Sequence, residues 1–408
     1  MKKKIVFLFP YPFTKINFLQ YSLEALSQKI KIEIHDLSDL FISKKFKERW
    51  KSKLYKKNVI KFTNLFEWIF YITKKPSDTI IINETYNNTN SINCFFVKLI
   101  LSIKKFVVFN YVIIDVIDVF FKKNLDYFLY KIFKQHKFDL IFYFNFIKKI
   151  IFSYLMKIIK YKKEIEINNL KKNHQYLNEK KLVCNIHSFD YSNFLISKKK
   201  KTKKYIVFLD TGFPYISGDR FLLNSIDYQR NEDEIVEYDR KVVSFFSILE
   251  DKFKKKVLVV PHPKFRGSKF YNENFHKNFK KYNKIDTNYA VRNAHFVVIN
   301  CSTTSISFAV LNYKPIIFFF LKKKTLDTKI NLIENKKIIN LLNIQKISLD
   351  KIDIATKLNL NVNLKAYNNY RIRFLQNPDK KIRFNNNGEI IYNFIRENLY
   401  KKKINILH

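Results

Sequence analysis

The sequence predicts an α/β protein of two Rossmann-like domains facing a central cleft, each a mostly parallel sheet wrapped by helices. Three observations predict it. The chain has 408 residues, beyond the roughly 250–300 at which a single core stops growing. Short apolar runs of strand length alternate with segments whose apolar residues recur at helical spacing. The alternation stops in a lysine run, KKKKTKK at 198–204, and then restarts. Repeated strand and helix imply parallel strands covered on both faces.

Taken in order, IVFLFP opens the chain as a strand, NFLQYSLEALSQ follows as a helix, and IKIEIHDLS alternates as a second strand. TIIIN (79–83), FVVFN (106–110) and FDLIFYFN (138–145) are further strands. From about 160 to 181 the composition turns polar, and a boundary is expected at 185–204. KYIVFLD (204–210) starts the second domain, and IVEYDRKVVSFFSILEDKF has helical spacing. KKVLVVPHP and HFVVINCSTTS are strands, SISFAVLN a helix and KPIIFFFL a strand. Asn385 to Gly388 breaks the chain before a last helix from about Glu389. The expected division is therefore 1–190, 200–375, and a C-terminal helix with a basic tail over 376–408.

Composition narrows the function classes. Lys+Arg 77 against Asp+Glu 35 gives a net charge of +42, a field that concentrates anionic partners. Two readings of that charge stand. One is a selected polyanion or membrane surface; the other is the Lys/Asn/Ile-rich bias of AT-rich coding. A nucleic-acid partner is not expected, because no zinc-ligand spacing, basic zipper or Lys/Arg-Gly-aromatic strand motif appears. Cys94, Cys184 and Cys301 are far apart and odd in number, which predicts free thiols in a reducing, cytoplasmic setting. The apolar run before Pro10 is too short for a signal peptide. The most apolar stretches, within 95–121 and 138–159, are broken by lysines and fall short of the roughly 20 residues a spanning helix needs. They read as buried core helices or as a face resting on a membrane.

The residues that carry chemistry follow strands of the second half. In a doubly wound sheet, ligands bind beyond the carboxyl ends of strands. His262 and Pro263 end one strand, with Lys264 and Arg266 close behind as cationic groups suited to a phosphate. Ser302, Thr303, Thr304 and Ser305 end another where a helix begins, a place where backbone N–H groups attract an anion. Ordinary N-capping explains one of these hydroxyls but not four in a row. Neither a Walker loop nor a GxGxxG is present. Asp210 closes the strand YIVFLD before a glycine-containing loop with Asp219, and suits a general base or nucleophile; an Asx-turn or helix cap is the competing explanation. Asp190, in IHSFDYSNF, and Asp219 are the acids placed on the cleft or acceptor side.

Together HSFDY, FLD with a downstream Gly-Asp, PHP and CSTTSISFAVLNYKPIIF resemble bacterial surface-carbohydrate glycosyltransferases of the GT-B type, in particular the sialyltransferase, polysialyltransferase and Kdo-transferase group. The resemblance covers mainly residues 185–320. It implies that His262 and Pro263 contact the donor nucleotide phosphate, that Ser302 to Ser305 lie at the same phosphate, and that Asp210 or His262 takes part in catalysis. It also implies no metal and no cofactor beyond the nucleotide-sugar donor; Asp115 and Asp118 are spaced wrongly for a DxD signature. Tyr313 stands before Lys-Pro where such enzymes commonly have Gly. The expected activity is transfer of a CMP-linked nonulosonate or Kdo-like sugar to a capsule, lipopolysaccharide or related glycan or glycolipid acceptor, at the inner face of the cytoplasmic membrane. A CDP-polyol phosphotransferase and a non-catalytic membrane-associated scaffold are the alternatives.

Overall fold

The computed structural model describes residues 4–42, 58–85, 92–111, 151, 154–155, 158–161, 163–168, 182–196, 202–212, 232–261, 275–282, 287–301, 303–321, 335–351, 358–377, 379 and 385–400. The chain divides into two compact units. The first comprises Met1–Lys47, Lys53–Ser188 and Gln376–His408, and the second Glu48–Ser52 and Phe189–Leu375. Both are α/β units built on all-parallel sheets.

The first unit carries seven strands in the order β3-β2-β1-β4-β5-β6-β7. They are β1 Lys4–Phe9, β2 Lys31–Asp36, β3 Val59–Lys61, β4 Ile80–Asn83, β5 Val107–Tyr111, β6 Lys163–Asn168 and β7 Leu182–Asn185. Every neighbouring pair is parallel. Because helices cover both faces, β1 is apolar without alternation: Ile5, Phe7 and Phe9 enter one core, Val6 and Leu8 the other. The first core takes Tyr21, Leu23 and Leu26 from the N-terminal helical segments, and Ile390, Ile391 and Ile395 from the helix Asn387–Ile395. The second takes Trp68 and Ile72 from the helix Leu65–Thr73, and Val97 and Leu101 from the helix Ile92–Ile103. Asn64 caps the former helix by accepting from the Glu67 amide. Inside this second core, His35 accepts from Trp68 Nε1 at 3.2 Å and pairs with Glu33 Oε1 at 2.7 Å. Lys4 and Lys75 also reach Glu33; His35, Lys4 and Lys75 together hold its carboxyl well below the usual range against the opposing effect of burial.

The polar segment expected around 160–181 in fact supplies β6. KEIEIN alternates, and Ile165 and Ile167 are fully buried while Glu164 accepts from Asn110 at 2.8 Å. Burying each isoleucine stabilises by roughly 2 kcal/mol, which sets the strand despite the charges between them. The proposed strand at 138–145 lies outside the described residues.

The C-terminal helix is fastened by a buried amide. Asn387 Nδ2 donates to the carbonyls of Gln20 (2.7 Å) and His187 (3.1 Å), while its Oδ1 accepts from the His187 amide at 2.9 Å. Asn386 and Glu389 form a capping box at its start. Gly388 is required by approach, since a Cβ there would stand 2.6 Å from the Ser22 carbonyl oxygen.

The second unit has six strands in the order β10-β9-β8-β11-β12-β13. They are β8 Tyr205–Leu209, β9 Val257–Val260, β10 Lys280–Lys281, β11 Ala294–Ile299, β12 Ile316–Phe320 and β13 Gln345–Ser348. The 22-residue helix Glu232–Phe253 lays Tyr238, Val242, Phe245, Phe246 and Leu249 on one face, at helical spacing, against Phe208, Val259, Val298 and Phe319. Aromatic contacts dominate here, with Phe208 to Phe246 at 5.2 Å and Phe245 to Phe319 at 5.6 Å between ring centroids. The helix Ile306–Leu311 is wholly buried and packs with the helices Thr287–Arg292 and Phe189–Ile196. Cys94, Cys184 and Cys301 are free thiols, and among the described residues no helix is long and apolar enough to cross a membrane.

Candidate functional site

The strand order of the second unit creates a topological switch. From β8 the chain moves outward through β9 and β10, then returns to place β11 on β8's other side. In doubly wound sheets, ligands bind at the carboxyl ends of the strands that flank such a switch. Phe208 pairs with Val298, so Asp210 and Asn300 leave the sheet level with each other. This brings the Asp210–Gly212 turn and the Thr303–Ser305 turn to the same edge.

Asp210 is buried and held on both oxygens. Its Oδ2 lies 2.6 Å from His276 Nε2, and its Oδ1 accepts from the Gly212 amide at 2.8 Å. Gly212 takes φ 79°, in the left-handed region that glycine enters without penalty, so the turn and the carboxylate fix one another. His276 sits on the 3-10 turn Phe275–Asn278 and stacks on Phe275, with ring centroids 3.9 Å apart. Asp239, from the helix Glu232–Phe253, faces this group; burial raises its carboxyl to about 6, with His276 and the Phe275 amide pulling the other way. One residue earlier, Tyr238 accepts from Asn300 Nδ2 at 2.8 Å and anchors the start of the β11 turn. The arrangement forms a rigid Asp–His floor under the switch point. Asp210 orients His276 and the glycine turn, and both of its oxygens are occupied in doing so.

The hydroxyl cluster behaves differently from a simple helix N-terminus. The amides of Ile306, Ser307 and Phe308 donate to the carbonyls of Thr303, Thr304 and Ser305 at 3.0–3.1 Å, a 3-10 start that satisfies the donors a regular helix leaves open. Ser305 N donates to Thr303 Oγ1 at 3.3 Å. The turn also carries hydroxyl donors, with Thr304 exposed and Thr303 and Ser305 half-buried. The expectation that bare helix amides draw the phosphate is corrected on this point.

Of the other expected site residues, Asp190 lies buried in the first turn of the helix Phe189–Ile196. His262, Pro263, Lys264, Arg266, Ser302 and Asp219 lie outside the described residues. Tyr313 takes φ 52°, a left-handed position that glycine fills with less strain, and its hydroxyl bonds Asn368 and Arg371.

The first unit has its own switch point between β1 and β4, and there the structure places a group that sequence reasoning missed. Glu84 directly follows β4, its carboxyl is buried, and Tyr21 donates its hydroxyl to Oε1. Burial raises the Glu84 carboxyl to about 7, only partly offset by that hydrogen bond. Tyr111 stacks edge-on against Tyr21 at 5.5 Å and accepts from Gln20 Nε2 at 2.7 Å. Beside it, Asn83 accepts from the Thr85 hydroxyl and donates to Asn110. A carboxyl that titrates near neutrality at a strand's end can hold or release a proton. Its one sequence signal was the acid that closes TIIINE.

Among the described residues, no three or more His, Cys, Asp or Glu side chains converge to hold a metal. No protein-family model matches the chain. No curated protein matches it either. Solved structures with a similar course of chain include the UDP-GlcNAc 2-epimerase of Methanocaldococcus jannaschii, solved with UDP-GlcNAc and UDP. It is 13% identical, with TM-score 0.42, covering 90% of this chain and 98% of that one. The glycosyltransferase SnogD of Streptomyces nogalater is 6% identical, with TM-score 0.43 and coverage of 91% and 95%. The calicheamicin glycosyltransferase CalG4 is 9% identical, with TM-score 0.44 and coverage of 96% and 94%.

Proposed function

We propose that the chain is a glycosyltransferase of GT-B type that takes a sugar from a nucleotide-linked donor bound at the β8/β11 switch point. The observation that carries the reading is the meeting, at one sheet edge, of the Asp210–Gly212 turn on its His276 floor with the hydroxyls of Thr303, Thr304 and Ser305. Hydroxyls and a rigid turn at the carboxyl edge of a parallel sheet suit a phosphate group. His262, Pro263, Lys264, Arg266 and Ser302 complete the donor side in this reading, with no bound metal required. The acidic nonulosonate and Kdo-like sugars, carried on CMP, are the donors favoured by the His-Pro and Ser/Thr motifs.

In such a transfer the acceptor hydroxyl oxygen bonds the anomeric carbon, its proton passes to a base, and the nucleotide leaves with the bonding pair. The first unit takes the acceptor, a growing capsule, lipopolysaccharide or related glycan. Asp210 serves as the residue that positions His276 and the donor turn.

The test is nucleotide release from a panel of CMP-, UDP-, GDP- and CDP-linked donors with lipid-linked and soluble acceptors. Release from CMP-sugars that falls at least tenfold in Thr303→Ala/Thr304→Ala supports the reading. Release from CDP-polyols instead replaces it with phosphotransfer, and no release from any donor, with anionic vesicle binding intact, replaces it with a scaffold.

A further inference from the structure

Two helices lie side by side on the second face of the first unit's sheet, Leu65–Thr73 leading into β4 and Ile92–Ile103 into β5, and the helical residues 151, 154, 155 and 158 precede β6. The first two turn Trp68, Ile72, Val97 and Leu101 inward. After the third segment, the Lys160 carbonyl accepts from Ser102 Oγ of the second helix at 2.6 Å. All three also turn large apolar side chains outward. Phe66, Phe70, Ile103, Ile151, Tyr154 and Ile158 are exposed, from 52% at Ile151 to 82% at Phe66. Exposed apolar side chains are ordinary when scattered; in rows on adjacent helices they mark an interaction surface.

The charges bordering these rows have one sign. Each segment is followed by lysine: Lys74 and Lys75, Lys104 and Lys105, and Lys160. Since each segment precedes a parallel strand, these ends gather along the edge where the strands begin. Over 65–75, 92–105 and 151–161 the sequence holds seven lysines and one acid, Glu67. Lys75 is drawn inward to Glu33, whereas Lys74 stays exposed with its ammonium 3.7 Å over the Phe70 ring.

We propose that this face docks on an anionic lipid surface, the outward aromatic and aliphatic side chains entering the headgroup boundary and the lysine edge meeting acidic headgroups. Interfacial helices combine these two features, and aromatic side chains favour the headgroup level. A second copy of the chain is the poorer occupant, because two faces belonging to a chain of net charge +42 repel. The proposal rests on the reading of the chain as an enzyme that meets its acceptor at a membrane, but its test reads vesicles and not turnover.

The experiment is co-sedimentation of the full chain with phosphatidylcholine vesicles containing or lacking about one third phosphatidylglycerol. The chain is expected to bind the anionic vesicles at least tenfold more tightly, less so as salt rises. Phe66→Ser/Phe70→Ser and Lys104→Glu/Lys105→Glu are each expected to weaken binding at least fivefold. Both pairs are at the surface, and circular dichroism checks that they fold. Binding that survives Phe66→Ser/Phe70→Ser unchanged overturns the proposal in favour of diffuse charge attraction. Absence of vesicle binding overturns it, as does a concentration-dependent dimer that the Phe pair abolishes while vesicle binding persists. None of these outcomes bears on nucleotide release, so the transferase reading fails or stands separately.

Discussion

Glu84→Gln offers a quantitative check on the first unit's switch point. Burial raises the Glu84 carboxyl from its ordinary 4.5 to about 7, so the folded chain holds a proton that the unfolded chain has lost over that window. Where the native state binds more protons, stability falls as pH rises. The contribution is thus full below pH 4.5, declines between 4.5 and 7, and is gone above 7. At ~1.36 kcal/mol per pKa unit, a rise from 4.5 to about 7 corresponds to about 3 kcal/mol. Glutamine keeps an oxygen for the Tyr21 hydroxyl but cannot ionise. The variant is therefore expected to match the wild type near pH 4.5 and to exceed it progressively, by up to about 3 kcal/mol at pH 8. The assay is urea unfolding of both proteins by circular dichroism at pH 5, 6, 7 and 8, read as the difference between them. Infrared spectra should also show a protonated carboxyl band below pH 7 that the variant lacks. Parallel stability profiles with no lost band would refute the placement of a proton on Glu84.

Further outcomes follow from the same structure. Gly388→Ala puts a Cβ 2.6 Å from the Ser22 carbonyl oxygen and is expected to cost about 1–3 kcal/mol, seen as a lowered urea midpoint. Asn387→Ala removes three buried hydrogen bonds and strands the His187 amide, for a loss of about 2–3 kcal/mol, with faster amide exchange in the C-terminal helix as the local signature. Asp210→Ala releases both His276 and the Gly212 amide; it is expected to destabilise by about 1–3 kcal/mol and to expose the 210–212 turn to limited proteolysis.

The sheets were legible where both faces are buried. IVFLF, TIII, VVF and IIFFF are continuous apolar runs, and continuous burial is what a doubly covered parallel strand needs. β6 escaped notice because Lys163, Glu164 and Glu166 raise the local charge, and the alternation of only two isoleucines carries the signal. β3 has three residues, too few for any period. In the site, the place of Asp210 and of the Ser/Thr turn at strand ends was legible, because it depends on local order. The partner of Asp210 was not. His276 lies 66 residues away, on a four-residue 3-10 turn, and only the tertiary fold brings it to Asp210. Glu84 was hidden for the same reason, since the burial that raises its carboxyl and the Tyr21 hydroxyl that partly offsets it both come from the tertiary fold, not from any neighbour in sequence.

The most direct test of the donor site is a calorimetric titration of CMP into the wild-type chain and into Thr303→Ala/Thr304→Ala at one pH and salt. Saturable binding of CMP, weakened at least tenfold by the double substitution while the urea midpoint stays unchanged, is the predicted result. Equal binding by both proteins, or none by the wild type with CMP, UDP or GDP, would contradict a nucleotide-sugar site at the β8/β11 switch.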